Sequence, residues 1–348
     1  MRPDLSFLSV VEDGPDDYVV GNGARFVNVP GIAAKVLALL DGSRTVEEVR
    51  KEVLARHGTD VDVAAFVGGL ESMGLLEEPE LPPSPWDRVR PEHVRLLFSP
   101  VADALVGLLA LCAVAAVVAE PRIVSGMSGL VWSNSLAFTL SFAVGSWVLV
   151  FVHELSHILA ARSLGVRAEL SLGTRLQFLV VQTNVTGVWR LPRRARYRAH
   201  LAGMRTDLFL VSAAACALYV TENAVARLVM VICASQIVWQ FLFFMRTDVY
   251  YAFANATGNK NLMADAQAYL RRRHRQAPRS VRIYAWFVIA GRVLGLAFLL
   301  GYTVPITIAV CRQAVAELGT SVQPLLTLAI VAFGWGLYLW VFIRQRLR

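Results

Sequence analysis

Residues 135–165 read SLAFTLSFAVGSWVLVFVHELSHILAARSLG. From Ser135 to Val152 there is no Asp, Glu, Lys or Arg, and the run has the length that a helix needs to cross a bilayer core. It leads directly into His153-Glu154-Leu155-Ser156-His157. On a helix of 3.6 residues per turn, positions i and i+4 share a face, so two imidazoles can reach one metal with Glu154 beside them. That spacing is a zinc site with a base attached. A charged residue inside a membrane helix costs about 2.5–3.5 kcal/mol on insertion scales, so such a cluster is seldom kept without a use.

The composition agrees with a membrane setting. Of 348 residues, 56% are hydrophobic and 17% charged, too apolar for two ordinary soluble domains. The net charge of +8 is unevenly spread: residues 1–80 hold 7 Lys/Arg against 15 Asp/Glu, which leaves 27 against 11 for the rest. An acidic head is joined to a basic membrane body. The four cysteines, Cys112, Cys216, Cys233 and Cys311, all sit in apolar runs without C-x-x-C spacing and read as small buried hydrophobes. The start, MRPDLSFLSVVEDGPDD, has no apolar core of secretory-signal length, so the N-terminus is expected to stay in the cytoplasm.

The fold class expected is a mainly α-helical polytopic membrane protein of about six transmembrane helices, with a small N-terminal α/β domain. The spans are Pro100–Ala119, about Ser135–Val152 and onward through the motif, Leu208–Val220 with polar residues borrowed from its N-terminal side, Leu228–Met245, Val293–Cys311 and Leu325–Ile343. The fifth has an alternative start at Ile283, around Arg292. The segments 162–200 and 246–282 are rich in arginine, and the alternate connections are short and poor in positive charge. By the positive-inside rule both termini and the zinc motif face the cytoplasm of a cell-membrane protein.

Residues 1–80 form the head, 81–99 a linker and juxtamembrane segment, and 100–348 the membrane domain. In the head, Tyr18–Val20 and Arg25–Val29 flank Gly21-Asn22-Gly23, a hairpin signal. Pro30 opens a helix to about Leu40. Thr45-Val46-Glu47-Glu48 has capping-box spacing for a second helix, Thr59 or Asp60 can cap a third that runs to Ser72, and Gly74–Glu77 reads as a short last strand. Strands with three short helices fit a winged-helix arrangement. An excess of eight acidic charges argues against nucleic-acid binding and against a membrane-tethered transcription factor.

The run VLALLDGSRTVEEVRKEV at 36–53, followed by LESMGLLE at 70–77, resembles the PqqD-like domain that recognises leader peptides of ribosomally made, modified peptides. The resemblance implies that a precursor peptide is received as an added strand on the small sheet.

A catalytic zinc takes three protein ligands and keeps one position open. His153 and His157 are two, and Glu154 is the candidate base. The other histidines, His57, His93, His200 and His274, lie in the head or in basic surroundings. Asp248, in FMRTDVYYAF, and Asp207, in LAGMRTDLFLV, are better placed. Each follows an Arg-Thr pair and has as its bland alternative an interfacial ion pair with Arg246 or Arg205. Gln236 and Gln240 share a face of the fourth span and read as packing amides.

HELSHILAARSLGV, together with a carboxylate after the fourth span, resembles the site-2 proteases, intramembrane zinc metalloproteases, and within them the bacterial peptide-metalloprotease branch. The resemblance implies Zn²⁺, the ligands His153, His157 and Asp248, and the catalytic base Glu154. It places Gly203 and Asp207 at a substrate-orienting motif, and Phe178–Val185 as a hairpin edge that pairs with an extended peptide. The chain departs from the pattern at Val249, where Gly is usual, and at Met204 and Asp207, where Pro and Asn are usual. An ionised Asp207 cannot donate a hydrogen bond to a developing oxyanion. The expectation is a zinc endopeptidase that matures or exports a modified peptide alongside modifying enzymes or a transporter. The alternative is a non-catalytic peptide receptor or transport partner that keeps the fold.

Overall fold

A computed structural model describes residues 2–23, 25–77, 84–125, 136–175, 178–259, 261–271, 277–319 and 322–346. The chain forms two compact units. One comprises residues 1–99, 157–169 and 183–202; the other comprises 100–156, 170–182 and 203–348.

The first unit opens with an antiparallel meander of β1 (Ser9–Gly14), β2 (Asp17–Gly21) and β3 (Phe26–Pro30). Val10 faces Val20, and Val19 faces Asn28, in register. Three helices follow: α1 (Gly31–Leu37), α2 (Val46–His57) and α3 (Val63–Ser72). Val20, Val36, Leu40, Val49, Val53, Val63 and Leu70 from both layers make one buried core. At the start of α2 the Thr45 hydroxyl accepts from the Glu48 N–H while the Glu48 carboxylate accepts from the Thr45 N–H. That reciprocal cap holds the Glu48 carboxyl below its ordinary range and satisfies two amides that the helix leaves open.

Three details of the head differ from expectation. Strand β1 was not anticipated, because SVVEDG is short and mixes acids into its alternation. Helix α3 begins at Val63 under Asp62, which accepts from the Ala65 N–H at 2.9 Å. Asp60 is occupied by a two-pronged bond from Arg50 (2.7 and 2.8 Å), and the Thr59 hydroxyl donates back to the His57 carbonyl. Finally, 74–77 is not a strand: Gly74 takes a left-handed φ of 67° as the chain leaves α3, and the Gly74 and Glu77 carbonyls accept from the Asn22 side-chain amide. A side chain has taken the place of a ladder partner.

Among the described residues, four helices are long and apolar enough to cross a membrane: Pro100–Ala119, Leu140–Ser163, Ala202–Val220 and Arg279–Gly301. We label the helices of the remaining chain α4 (Pro100–Ala119), α5 (Leu136–Ser163), α6 (Arg193–His200), α7 (Ala202–Val220), α8 (Ala224–Gln240), α9 (Asp248–Thr257), α10 (Leu262–Leu270), α11 (Arg279–Phe298), α12 (Val304–Ala316) and α13 (Gln323–Arg346). Small residues let α4, α7 and α8 approach closely: Ala113, Ala116, Ala214 and Ala215 are buried with Leu218 and Met230, the packing that lipid-embedded helices favour. Val101, Leu105, Leu108 and Leu111 of α4 point outward and are exposed, as a helix against hydrocarbon requires.

The expected fourth and fifth spans are revised. Helix α8 stops at Gln240, and a 3₁₀ turn at Phe243–Met245 with Arg246 in the left-handed region (φ 57°) ends the run. The apolar stretch 293–311 is not one helix. Helix α11 runs through Arg292 unbroken to Phe298, a π turn occupies Leu299–Thr303, and α12 follows. Pro305 has no N–H for the Gly301 carbonyl, so the ladder re-registers there.

Candidate metal centre

Helix α5 carries His153, Glu154 and His157 at its apolar core, and all three are buried. Two chain segments bring the other polar groups to them. The first is the N-terminus of α7. Asp207 is completely buried and its Oδ2 lies 2.7 Å from His153 Nδ1. The Ser156 hydroxyl ties the same two helices together by donating to Thr206 Oγ1 at 2.8 Å. Gly203 passes so close that a Cβ there would overlap the His153 ring.

The second segment is the turn after α8. The Thr247 hydroxyl donates to the Gln240 carbonyl (2.6 Å), and the Asp248 N–H donates to Gln240 Oε1 (3.0 Å). With Arg246 left-handed, this turn swings Asp248 inward, so that its Oδ2 sits 3.3 Å from His153 Nε2. The result is a buried group of His153, His157 and Asp248 whose ligand atoms all lie within 4.8 Å of one another.

Whether these residues suit a metal follows from where the protons sit. His157 Nδ1 is 2.7 Å from the Ala199 carbonyl, which can only accept, so that nitrogen carries the hydrogen. His153 Nδ1 faces the Asp207 carboxylate in the same way. Both Nε2 lone pairs are then left for a ligand, beside the Asp248 carboxylate. Two imidazole nitrogens and a carboxylate oxygen, gathered out of water, form a donor set for a divalent cation such as zinc. Anchoring the far nitrogen of each histidine on an acceptor is also how ligating imidazoles are held in tautomer and orientation.

The structure therefore brings together His153, Glu154, His157, Asp248, Asp207 and Gly203. It removes the ion-pair alternative for Asp207, because Arg205 pairs instead with Asp103 at 2.6 Å. Asp207 is buried and holds His153. His200 is buried against Trp189, with ring centroids 5.9 Å apart, and is not part of the metal group. His274 lies outside the described residues.

The hairpin is present as β4 (Glu169–Arg175) paired with β5 (Phe178–Asn184). Residues 176–177, between the two strands, lie outside the described residues. A 3₁₀ turn over Thr186–Arg190 follows the strand, and Val185 is the residue just before that turn.

Two residues carry more than the packing role that spacing suggested. Gln240 fixes the turn that delivers Asp248, and its Nε2 comes within 3.5 Å of His153 Nε2. Gln236, oriented so that both ends are satisfied, donates to Asp207 Oδ1 at 3.0 Å. Their i, i+4 spacing on an apolar helix was the available signal; what it lacked was the identity of the opposing face. Replacing Asp207 by Asn is expected to weaken divalent-metal binding at this group about 10–100-fold, the usual cost of losing a partner behind a ligating histidine. Competition with a chromophoric chelator measures it, and unchanged affinity would show that Asp207 does not hold His153 in place.

Compared with known proteins, the chain matches no family model, no curated protein and no solved structure.

Proposed function

We propose that this chain is a zinc-dependent membrane endopeptidase of site-2 protease type. It hydrolyses a peptide bond in a precursor peptide held by residues 1–80, in the maturation or export of a modified peptide. The observation that carries the reading is the convergence of His153, His157 and Asp248 into one buried donor set, with Glu154 adjacent to the first ligand in the H-E-x-x-H order. His153, His157 and Asp248 would hold the zinc, which would supply Lewis acidity to activate water for attack. Glu154 accepts a proton from the attacking water and returns one to the leaving amine. Asp207 and the Ala199 carbonyl keep the two imidazoles in their ligating tautomers. Strand β5 offers an extended backbone along which a peptide can lie. In this reading six spans place the centre and both termini toward the cytoplasm, with α8 and α13 joining the four long apolar helices. A tethered head raises the local peptide concentration to about the millimolar range.

Protein purified in detergent should carry zinc at unit stoichiometry and convert a precursor peptide encoded beside its own gene into two defined fragments, resolved by mass spectrometry. Cleavage should vanish with a zinc chelator and return on adding Zn²⁺. The use of Asp207 to orient His153 favours a second reading as a non-catalytic receptor or transport partner. Stoichiometric zinc and peptide binding without turnover would support that reading over the first.

A further inference from the structure

We infer that Asp13, on the N-terminal sheet, is a positioning residue for the metal ligand His157, acting through Arg196 and helix α6. The inference rests on the metal centre proposed above. Asp13 lies in β1, yet its carboxylate is wholly buried: Oδ1 is 2.6 Å from Arg196 Nη2 and 3.3 Å from Arg193 Nε. The Arg196 side chain is 1% exposed. It also donates from Nε to the Leu191 carbonyl (2.8 Å) and from Nη2 to the Trp189 carbonyl (2.9 Å), and it lies over the Trp189 ring at 5.0 Å.

One guanidinium thus gathers a carboxylate, two carbonyls and an aromatic face, and the planar fork of arginine fixes the helix that bears it. That helix is α6, only eight residues long. Ala199 stands one turn beyond Arg196 and is fully buried, and its carbonyl is the acceptor for His157 Nδ1 at 2.7 Å. Packing here is tight: Ala160, Ala199 and Ala202 have no exposed surface. A shift of Arg196 therefore moves the group that sets the tautomer and tilt of His157. All of these residues belong to the same compact unit, and β1 is an edge strand of its sheet. A load on β1, including a peptide added beside it, is then felt at His157.

The alternative for the same ion pair is a strut that holds the head and has no effect on the metal. The two separate in full-length protein in detergent, using D13N, which removes the buried charge, and R193Q, which removes only the half-exposed partner. Zn²⁺ affinity is read by competition with a chromophoric chelator and ligand geometry by the visible absorption of Co²⁺. We expect D13N to bind Zn²⁺ about 10–100-fold more weakly, with altered Co²⁺ bands, and R193Q to shift both in the same direction by a smaller factor. Where D13N does not yield folded protein, R193Q decides. Wild type that binds metal, with folded variants that bind it equally tightly and give the same spectrum, overturns the inference and leaves the metal centre standing. Wild type that binds no metal overturns both.

Discussion

Replacing Glu154 with glutamine is expected to lower peptide hydrolysis about 10²–10⁴-fold, the range for loss of a general base, and to leave zinc content unchanged. Glutamine keeps the volume and the hydrogen-bonding reach of the buried side chain, but it cannot accept a proton from water. His153, His157 and Asp248 are untouched, so the donor set persists. The measurement pairs metal analysis with single-turnover cleavage of the precursor peptide. An E154Q protein that cuts at the wild-type rate would remove Glu154 from the mechanism. One that loses its zinc as well would show a role in building the centre and none specific to proton transfer.

The second large effect is expected at a residue with no side chain. Gly203 is the second residue of α7, and any Cβ built on it meets the His153 ring at Nε2, Cε1 and Cδ2 at once. The ring cannot swing aside without leaving Asp207, which holds it at 2.7 Å. The helix cannot retreat without carrying Asp207 and Thr206 with it. Gly203→Ala should therefore misplace a ligand by about 1 Å, a displacement that costs on the order of 10²-fold in rate, and should weaken zinc binding together with activity. Gly107, in α4, has nothing within 4 Å of its would-be Cβ, so Gly107→Ala is the matched control and should leave both properties intact. Equal zinc affinity in the two variants would show that the α7 backbone yields at Gly203 and that the close approach is not required.

The parts of this site that were legible in the sequence are those written in local spacing. The H-E-x-x-H order puts His153 and His157 one helical turn apart whatever surrounds them. Thr45 and Glu48 likewise specify their own cap, and the uncharged run from Ser135 to Val152 specifies a long apolar helix. Asp207 and Asp248 were visible as candidates because a carboxylate at the end of an apolar helix is costly, but the two appeared in near-identical Arg-Thr-Asp contexts. Spacing could not assign one to the metal and the other to the back of His153. The resemblance implied Asp248 as the ligand and Asp207 as a substrate-orienting group; the contact between Asp207 and His153 Nδ1 came from the structure alone.

What the chain determined by itself, then, was a mainly helical protein with apolar helices of membrane-crossing length, an acidic α/β head and two imidazoles on one helical face. Each of these follows from periodicity, capping or charge within a dozen or so residues. Only the tertiary structure decided that Arg205 takes Asp103 and leaves Asp207 for His153, that Gln240 steers Asp248 inward through a left-handed Arg246, and that Asp13 lies buried against Arg196 across more than 180 positions of sequence. Those contacts join residues whose separation along the chain carries no periodic signal. They are selected because a buried charge or amide must find a partner somewhere in the folded molecule, and which partner it finds depends on how the helices pack.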